Sequence, residues 1–166
     1  MTPMRLAEGA TVEMSGDREV VVARAFDAPR RLVFDAHTRP ELVQRWLLGP
    51  PGWTMPVCAI DLRVGGRIRY VWRGPDGSTM GMSGTYREIV PPRRLVHTEV
   101  FDEDWSGGEM LVTTEFAEKA DATTVTMTIR FTSYAAREAA VATGMTAGMN
   151  QSYNRLAALL ADMPTG

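Results

Sequence analysis

The stretch that decides the fold is residues 124–163, TVTMTIRFTSYAAREAAVATGMTAGMNQSYNRLAALLADM. It opens with period two: Val125, Met127, Ile129 and Phe131 share one face and Thr124, Thr126, Thr128 and Arg130 the other, the signature of a half-buried strand. After Ser133 the apolar period lengthens to about 3.6 residues. Met145, Met149, Tyr153, Leu156, Leu160 and Met163 then recur three or four residues apart and form one stripe, which predicts a long helix. Gly144 divides the run into a short helix from about Tyr134 and a main helix over 145–162, because glycine costs ~1 kcal/mol in a helix interior. Pro164 ends the element.

Working back from there, strands dominate. Residues 67–73 alternate Ile68, Tyr70 and Trp72 with Arg67, Arg69, Val71 and Arg73, so aromatic and cationic side chains part to opposite faces. The turn Pro75-Asp76-Gly77-Ser78 predicts a hairpin to a partner strand over 79–90, and further strands are expected at 95–101, 109–118 and 124–131. Upstream lie a strand over 53–62 and a bend at Val64-Gly65-Gly66. The β-branched run over 18–26 is the first convincing strand, and residues 1–17 read as a loosely ordered segment. Between them, Pro29 sits well in the first turn of a helix through about His37, and a second helix starts near Pro40 with Thr38 as candidate cap and Leu42, Val43, Trp46 and Leu47 on one face.

This order, with strands segregated from the main helix, predicts one α+β domain over 18–163: a curved antiparallel sheet of about six to seven strands wrapped around a long C-terminal helix, with two short helices after the first strand. Gly65, Gly66, Gly81 and Gly84 are candidate bend or bulge sites in a sheet that must curl. The helix, ~27 Å long at 1.5 Å per residue, is the apolar element able to cover the concave face. A length of 166 residues suits one core, and a net charge of −2 lacks the basic excess that nucleic acids or anionic membranes require. No run approaches the ~20 apolar residues of a membrane span. One cysteine, Cys58, and an N-terminus without a secretory apolar core lead to a cytoplasmic expectation.

The eleven methionines suit an adaptable core or a ligand cavity. Strand alternation and the helix stripe place Tyr70, Trp72, Met82, Val112, Met127, Met145, Met149 and Tyr153 around the space between sheet and helix. Each of them singly is read as plain core packing, and only the set points to a site. Tyr70, Trp72, Thr114 and Tyr153 are the polar handles such a site would use.

Several segments, taken together in order and spacing, resemble the heat-shock-protein-ATPase-activator-like branch of the START-like (SRPBCC) superfamily. They are Phe26-Asp27-Ala28-Pro29, Arg39-Pro40-Glu41-Leu42 leading to Trp46, Gly49-Pro50 with Gly52-Trp53, Val64-Gly65-Gly66-Arg67, the run from Gly84 to Pro92, and Gly144-Met145 with Tyr153-Asn154-Arg155-Leu156. The resemblance spans about residues 18–163 and implies a helix-grip fold over a deep cavity. It implies no single activity, since members include lipid and polyketide binders, cyclases, aromatases, self-resistance proteins and co-chaperone domains tied to the stress response. The family often has a tryptophan after a glycine in the C-terminal helix, where this chain has Gly148-Met149.

Other features read more plainly. His97 and Glu99, two apart on a strand, share a face and are the tempting acid–base pair. Burying Val96, Thr98 and Val100 instead turns the pair to solvent, and that is the expectation, although Leu95 and Phe101 share the face of His97. Arg67, Arg69 and Arg73 read as a solvated row, and Asp102-Glu103-Asp104 as a solvated loop. His37, His97 and Cys58 lie on separate elements without zinc-ligand spacing, so no metal or other cofactor is expected. Cys58 reads as a small buried hydrophobe, and Val64-Gly65-Gly66 as a bend and not a phosphate loop. The sequence therefore favours a binding module whose partner is a small hydrophobic or aromatic molecule. An enzyme using Glu99, His97 or Tyr153 on an aromatic or polyketide-like substrate, a co-chaperone of a heat-shock ATPase, and a homodimer stay open.

Overall fold

A computed structural model describes residues 4–5, 9–103 and 105–164 of the chain. The strands are β1 (Met4–Arg5), β2 (Thr11–Ser15), β3 (Glu19–Phe26), β4 (Thr54–Ile60), β5 (Arg67–Arg73), β6 (Thr79–Val90), β7 (Arg94–Phe101), β8 (Met110–Lys119) and β9 (Ala122–Arg130). The helices are α1 (Arg30–Thr38), α2 (Pro40–Trp46), α3 (Tyr134–Ala142) and α4 (Met145–Asp162). All strands join one open sheet in the order β1-β2-β3-β9-β8-β7-β6-β5-β4, and each pairing is antiparallel. The α+β reading holds, with nine strands in place of six to seven. The additions are the two-residue β1 and β2, whose Val12 pairs with Val22 and is buried. Residues 1–3 and 6–8 of the segment expected to be loose lie outside the described residues.

The local chemistry explains the boundaries. Pro29 caps α1 with extended backbone, and its carbonyl accepts from the N–H groups of Leu32 and Val33. Thr38 does not cap α2: Arg39 holds that position, and the Thr38 hydroxyl donates back to the Phe34 carbonyl at 3.0 Å within α1. Gly144 adopts φ 86°, a left-handed conformation that glycine enters without steric cost, and so breaks α3 from α4 at the expected point.

The bend at Val64-Gly65-Gly66 is where it was expected, with Gly65 at φ 84°, but the irregularities of the sheet itself lie away from the glycines. The register shifts fall between Thr54 and Val57 on β4 and between Tyr86 and Glu88 on β6. At the second shift Arg87 and Glu88 both face solvent, after which Ile89 packs back against the core. Gly84 acts by closeness: a Cβ there would stand 2.0 Å from the Thr98 carbonyl oxygen, so only glycine lets β6 and β7 approach this tightly. The sheet curls around α4, whose Tyr153, Leu156, Leu159 and Leu160 are buried with Val20, Val22, Val125 and Ile129 in one core.

Candidate functional site

Beneath the N-terminal half of α4 the interior is not filled. An inner chamber of about 100 Å³ and an outer groove of about 420 Å³ adjoin, and Leu47, Met149 and Ser152 border both. The loop after α2 forms the neck between them. It is tied down by the Gly49 N–H donating to Ser152 Oγ at 2.9 Å, by Arg155 Nη1 donating to the Gly49 carbonyl at 2.7 Å and by Trp72 Nε1 donating to the Leu47 carbonyl at 2.7 Å.

The groove is aromatic and uncharged. Its sheet-side wall is Trp72, Met80, Phe101 and Trp105, its helix-side wall Met145, Gly148 and Met149, and Trp53, Leu48 and Pro50 close the end. Trp72 and Phe101 stack with ring centroids 6.3 Å apart, and Phe101 and Trp105 lie 4.5 Å apart. The indole N–H of Trp105 is buried and has no hydrogen-bond partner among the described residues.

The chamber is where the polar groups collect. Strand pleating aims Ile68 and Tyr70 of β5, Tyr86 of β6, Leu95, His97 and Glu99 of β7, Thr114 of β8 and Met127 of β9 inward, while α1 and α2 add His37, Val43 and Trp46, and α4 adds Tyr153. Leu95, Thr114 and Met127 lie directly opposite one another across three strands.

The expected outward orientation of His97 and Glu99 is overturned. Both line the chamber, with side chains 15% and 22% exposed, and His97 Nε2 is 2.8 Å from Glu99 Oε2. The concave side of β7 takes Leu95, His97, Glu99 and Phe101, while the other face is covered at Val96 and Thr98, 7% and 4% exposed, and open only towards Val100, 40% exposed, so burying one face does not turn the other to solvent. The second ring nitrogen of His97, Nδ1, is buried without a partner. His37 Nδ1 donates to the Val33 carbonyl at 2.8 Å, and its ring packs on Trp46 and Phe116. Burial pulls its pKa down to about 4, with the nearby His97 charge adding to the effect, so His37 is neutral at pH 7.

Three tyrosines, Tyr70, Tyr86 and Tyr153, line the same space. Burial holds Tyr70 well above the ordinary phenol value, with Tyr86, Cys58 and Glu99 contributing, pushes Tyr86 up to about 12 and raises Tyr153. All three are therefore neutral, and among the described residues none of these hydroxyls is hydrogen-bonded.

The structure thus divides the expected lining set. Tyr70, Thr114, Met127, Met149 and Tyr153 border the chamber, Trp72, Met145 and again Met149 border the groove, and Met82 and Val112 border neither, each being only 1% exposed in the core. Tyr70 and Trp72 are neighbours with ring centroids 5.7 Å apart, yet they serve different spaces. Sequence reasoning missed His37, Trp46, Tyr86, Ser152, Phe101 and Trp105. Tyr86 was accessible to it, since it shares the face of Met80, Met82 and Gly84 on β6. Trp105 was not, because its loop has no period.

Other expectations fall away from the site. Arg69 is not simply solvated: it holds Asp102 with two bonds of 2.7 Å and also donates to Ser83, and the guanidinium keeps the Asp102 carboxyl below its usual range. Asp104 lies outside the described residues. Cys58 is half-buried, with its thiol pushed up to about 11 by burial and by Glu41. Among the described residues no three of His, Cys, Asp and Glu converge to hold a metal, and no helix is long and apolar enough to cross a membrane.

Comparison places this architecture among known proteins. A crystal structure from Rhodobacter sphaeroides, 33% identical, covers 94% of this chain and 100% of its own with a TM-score of 0.88. The Mycobacterium smegmatis protein Ms6760, 22% identical, covers 92% and 97% with a TM-score of 0.81. PFC0360w, described as an HSP90 activator from Plasmodium falciparum, shares the fold at 23% identity and a TM-score of 0.53, covering 69% of this chain and 73% of its own. No curated protein matches the sequence. The family model described as Activator of Hsp90 ATPase homolog 1-like protein matches residues 27–161, and the chain belongs to that family, within the START-like branch that its sequence resembles.

Proposed function

We propose that the protein binds a small, largely hydrophobic or aromatic molecule between the curved sheet and α4. The observation that carries this reading is the groove of about 420 Å³, uncharged among the described residues, opening through the Leu47, Met149 and Ser152 neck onto a chamber lined by Tyr70, Tyr86 and Tyr153. Ligand sites are typically apolar clefts of ~300–1,000 Å³ with a few convergent polar groups. Trp72, Met145 and Met149 would hold the ligand body, and Tyr70, Thr114, Met127 and Tyr153 its inner end, with Met82 and Val112 as the packed layer behind. Native mass spectrometry of gently purified protein, combined with a thermal-shift screen of apolar and aromatic compounds, tests it. A ligand at ~100 times its Kd adds about 2.7 kcal/mol of stability, which such a screen detects. A protein that carries nothing and is stabilised by no member of the library would overturn the reading.

The inward His97–Glu99 pair favours one second reading, an enzyme in which the carboxylate orients the imidazole as a general base for an aromatic or polyketide-like substrate. Turnover abolished by His97→Gln with ligand binding retained supports it, and a bound compound recovered unchanged after long incubation argues against it. The co-chaperone reading rests on membership of the family and on the shared fold of the Plasmodium falciparum HSP90 activator, not on a feature of this chain's surface. Pull-down with an Hsp90-type ATPase tests it, and a clean negative removes it.

A further inference from the structure

The charge inventory of the two spaces goes further than their shape. Among the described residues no lysine or arginine borders either space, and none with an ionisable side chain borders the groove. In the chamber the ionisable groups are His37, His97, Glu99 and the tyrosines. His37 and the tyrosines are neutral for the reasons given above. The imidazole of His97 already stands 2.8 Å from the Glu99 carboxylate, so among the described residues the lining has no lysine or arginine, and no cation apart from that pair, to receive an anion. Arg24, the cation whose field reaches Tyr153, is outside the lining and donates to Asn154.

What the chamber does offer is neutral hydrogen bonding. Tyr70, Tyr86 and Tyr153 are 7%, 2% and 3% exposed, and their hydroxyls make no hydrogen bond among the described residues, which leaves them for a ligand. Tyr70, Tyr86 and Glu99 stand on the adjacent strands β5, β6 and β7 and line the same chamber, with Glu99 2.8 Å from His97 and the His97 ring 6.1 Å from that of Tyr86, so hydroxyl-bearing rings and a carboxylate share one wall of the space. Volume limits the head that fits: about 100 Å³ is below the ~150 Å³ of an engineered cavity that takes benzene, so a small polar group enters while rings stay in the groove.

From this, and resting on the ligand-binding reading, we infer that the ligand is an uncharged aromatic molecule led by a hydroxyl or carbonyl group, which the Tyr70, Tyr86 and Glu99 cluster receives, and that carboxylates such as fatty acids are rejected. A hydroxyl head donates to Glu99 and accepts from a tyrosine, whereas a carbonyl head accepts from the tyrosines. A carboxylate head meets Glu99 with no counter-charge, and an ammonium meets a carboxylate already bonded to His97.

The test uses the full chain and calorimetry with matched probes on naphthalene and biphenyl frames, each as the hydrocarbon, the hydroxyl, the carboxylate and the aminomethyl derivative. The hydroxyl form is expected to bind roughly 3- to 10-fold more tightly than the hydrocarbon, the span of one neutral hydrogen bond. It is also expected to bind more tightly than either charged form. The double variant Tyr70→Phe/Tyr86→Phe should erase the hydroxyl's advantage and leave hydrocarbon affinity unchanged, and Glu99→Gln should raise carboxylate affinity selectively. Hydrocarbon and hydroxyl bound equally, or a charged form bound best, would overturn the inference while leaving ligand binding intact. Failure of every probe on both frames would count against the ligand-binding reading itself, and the inference would fall with it.

Discussion

The two halves of α4 do opposite things with the same helix. Over its C-terminal half, Leu156, Leu159 and Leu160 are 0%, 5% and 3% exposed and meet a sheet face of Val20, Val22, Val125 and Ile129. Over its N-terminal half, Met145 and Met149 are half-buried and border open space, and Gly148 puts no side chain there. The sheet opposite changes in step, from β-branched side chains on β3 and β9 to the large rings of Trp72 and Phe101 on β5 and β7. Branched aliphatic side chains interdigitate to crystal-like density, whereas large rings stacked on one another leave a shaped gap. One end of the molecule is therefore built for stability, and the other spends part of its apolar surface on a space.

The sharpest way to break this contrast is truncation at each end. Leu156→Ala removes a fully buried side chain and is expected to cost ~2–5 kcal/mol in urea unfolding. Met149→Ala, beside an existing void, should cost less than ~2 kcal/mol, since it adds little new cavity. Equal losses would mean that the groove is closed by packing in solution.

His37 stands at the border, lining the chamber yet wedged between Trp46 and Phe116. An unfolded histidine titrates near 6.5 and this one at about 4, so the unfolded chain binds the extra proton first as pH falls. Its contribution is fully present above pH 6.5 and is lost progressively down to pH 4, a difference of roughly 3 kcal/mol. His37→Phe keeps a ring against both aromatic neighbours and should flatten the stability profile over that window relative to the parent. Identical profiles would show a chamber wet enough to solvate the imidazolium, and the border would then belong to the open half.

How far this was readable beforehand differs between the halves for a physical reason. The packed half is periodic: period two on β9 and 3.6 on α4 gave the elements, and the α4 limits Met145–Asp162 are the expected ones. The direction of His97 and Glu99 was not readable in the same way. Alternation says which residues share a face but not which face a curling sheet makes concave, and on β7 Val96 and Thr98 are buried as expected while the opposite face is buried too. The division of the interior into chamber and groove was hidden too, because it depends on the loop of Leu47 and Gly49 reaching Ser152 and Trp72, contacts separated by many residues. Trp105 and the neck belong to loops, where no period carries information.

Gly148 tests the open half from the helix side. A Cβ there meets nothing nearer than Pro50 Cδ at 3.9 Å and Gly49 Cα at 4.0 Å, which is ordinary contact. Gly148→Ala should therefore stabilise the protein by ~0.5–1 kcal/mol, the backbone cost of glycine in a helix. Gly148→Leu, whose longer side chain reaches into the groove, should keep most of that gain while abolishing binding of biphenyl-sized probes. Stability and ligand affinity moving in opposite directions is the outcome that separates a groove kept open for a ligand from one that is merely underpacked. A leucine variant that binds as before would place the ligand elsewhere.

The smallest expected effect is the most diagnostic of how the chamber is used. Tyr153 stacks on Trp46 at 6.0 Å and meets Phe26 edge-on at 5.5 Å, and Tyr153→Phe preserves both ring contacts. Its hydroxyl has no hydrogen-bond partner among the described residues, so deleting it breaks no bond among them. The change in unfolding free energy should stay within ~0.5 kcal/mol, as for substitutions outside any packed or bonded feature. The same hydroxyl would matter once a polar head lies beside it, so the variant should lose affinity for hydroxyl-bearing probes that it does not lose in stability. A Tyr153→Phe variant destabilised by ~1 kcal/mol or more would instead mean that ordered water already bonds the hydroxyl in the free protein. The chamber would then be a hydrated part of the core, and any ligand would have to displace that water to enter.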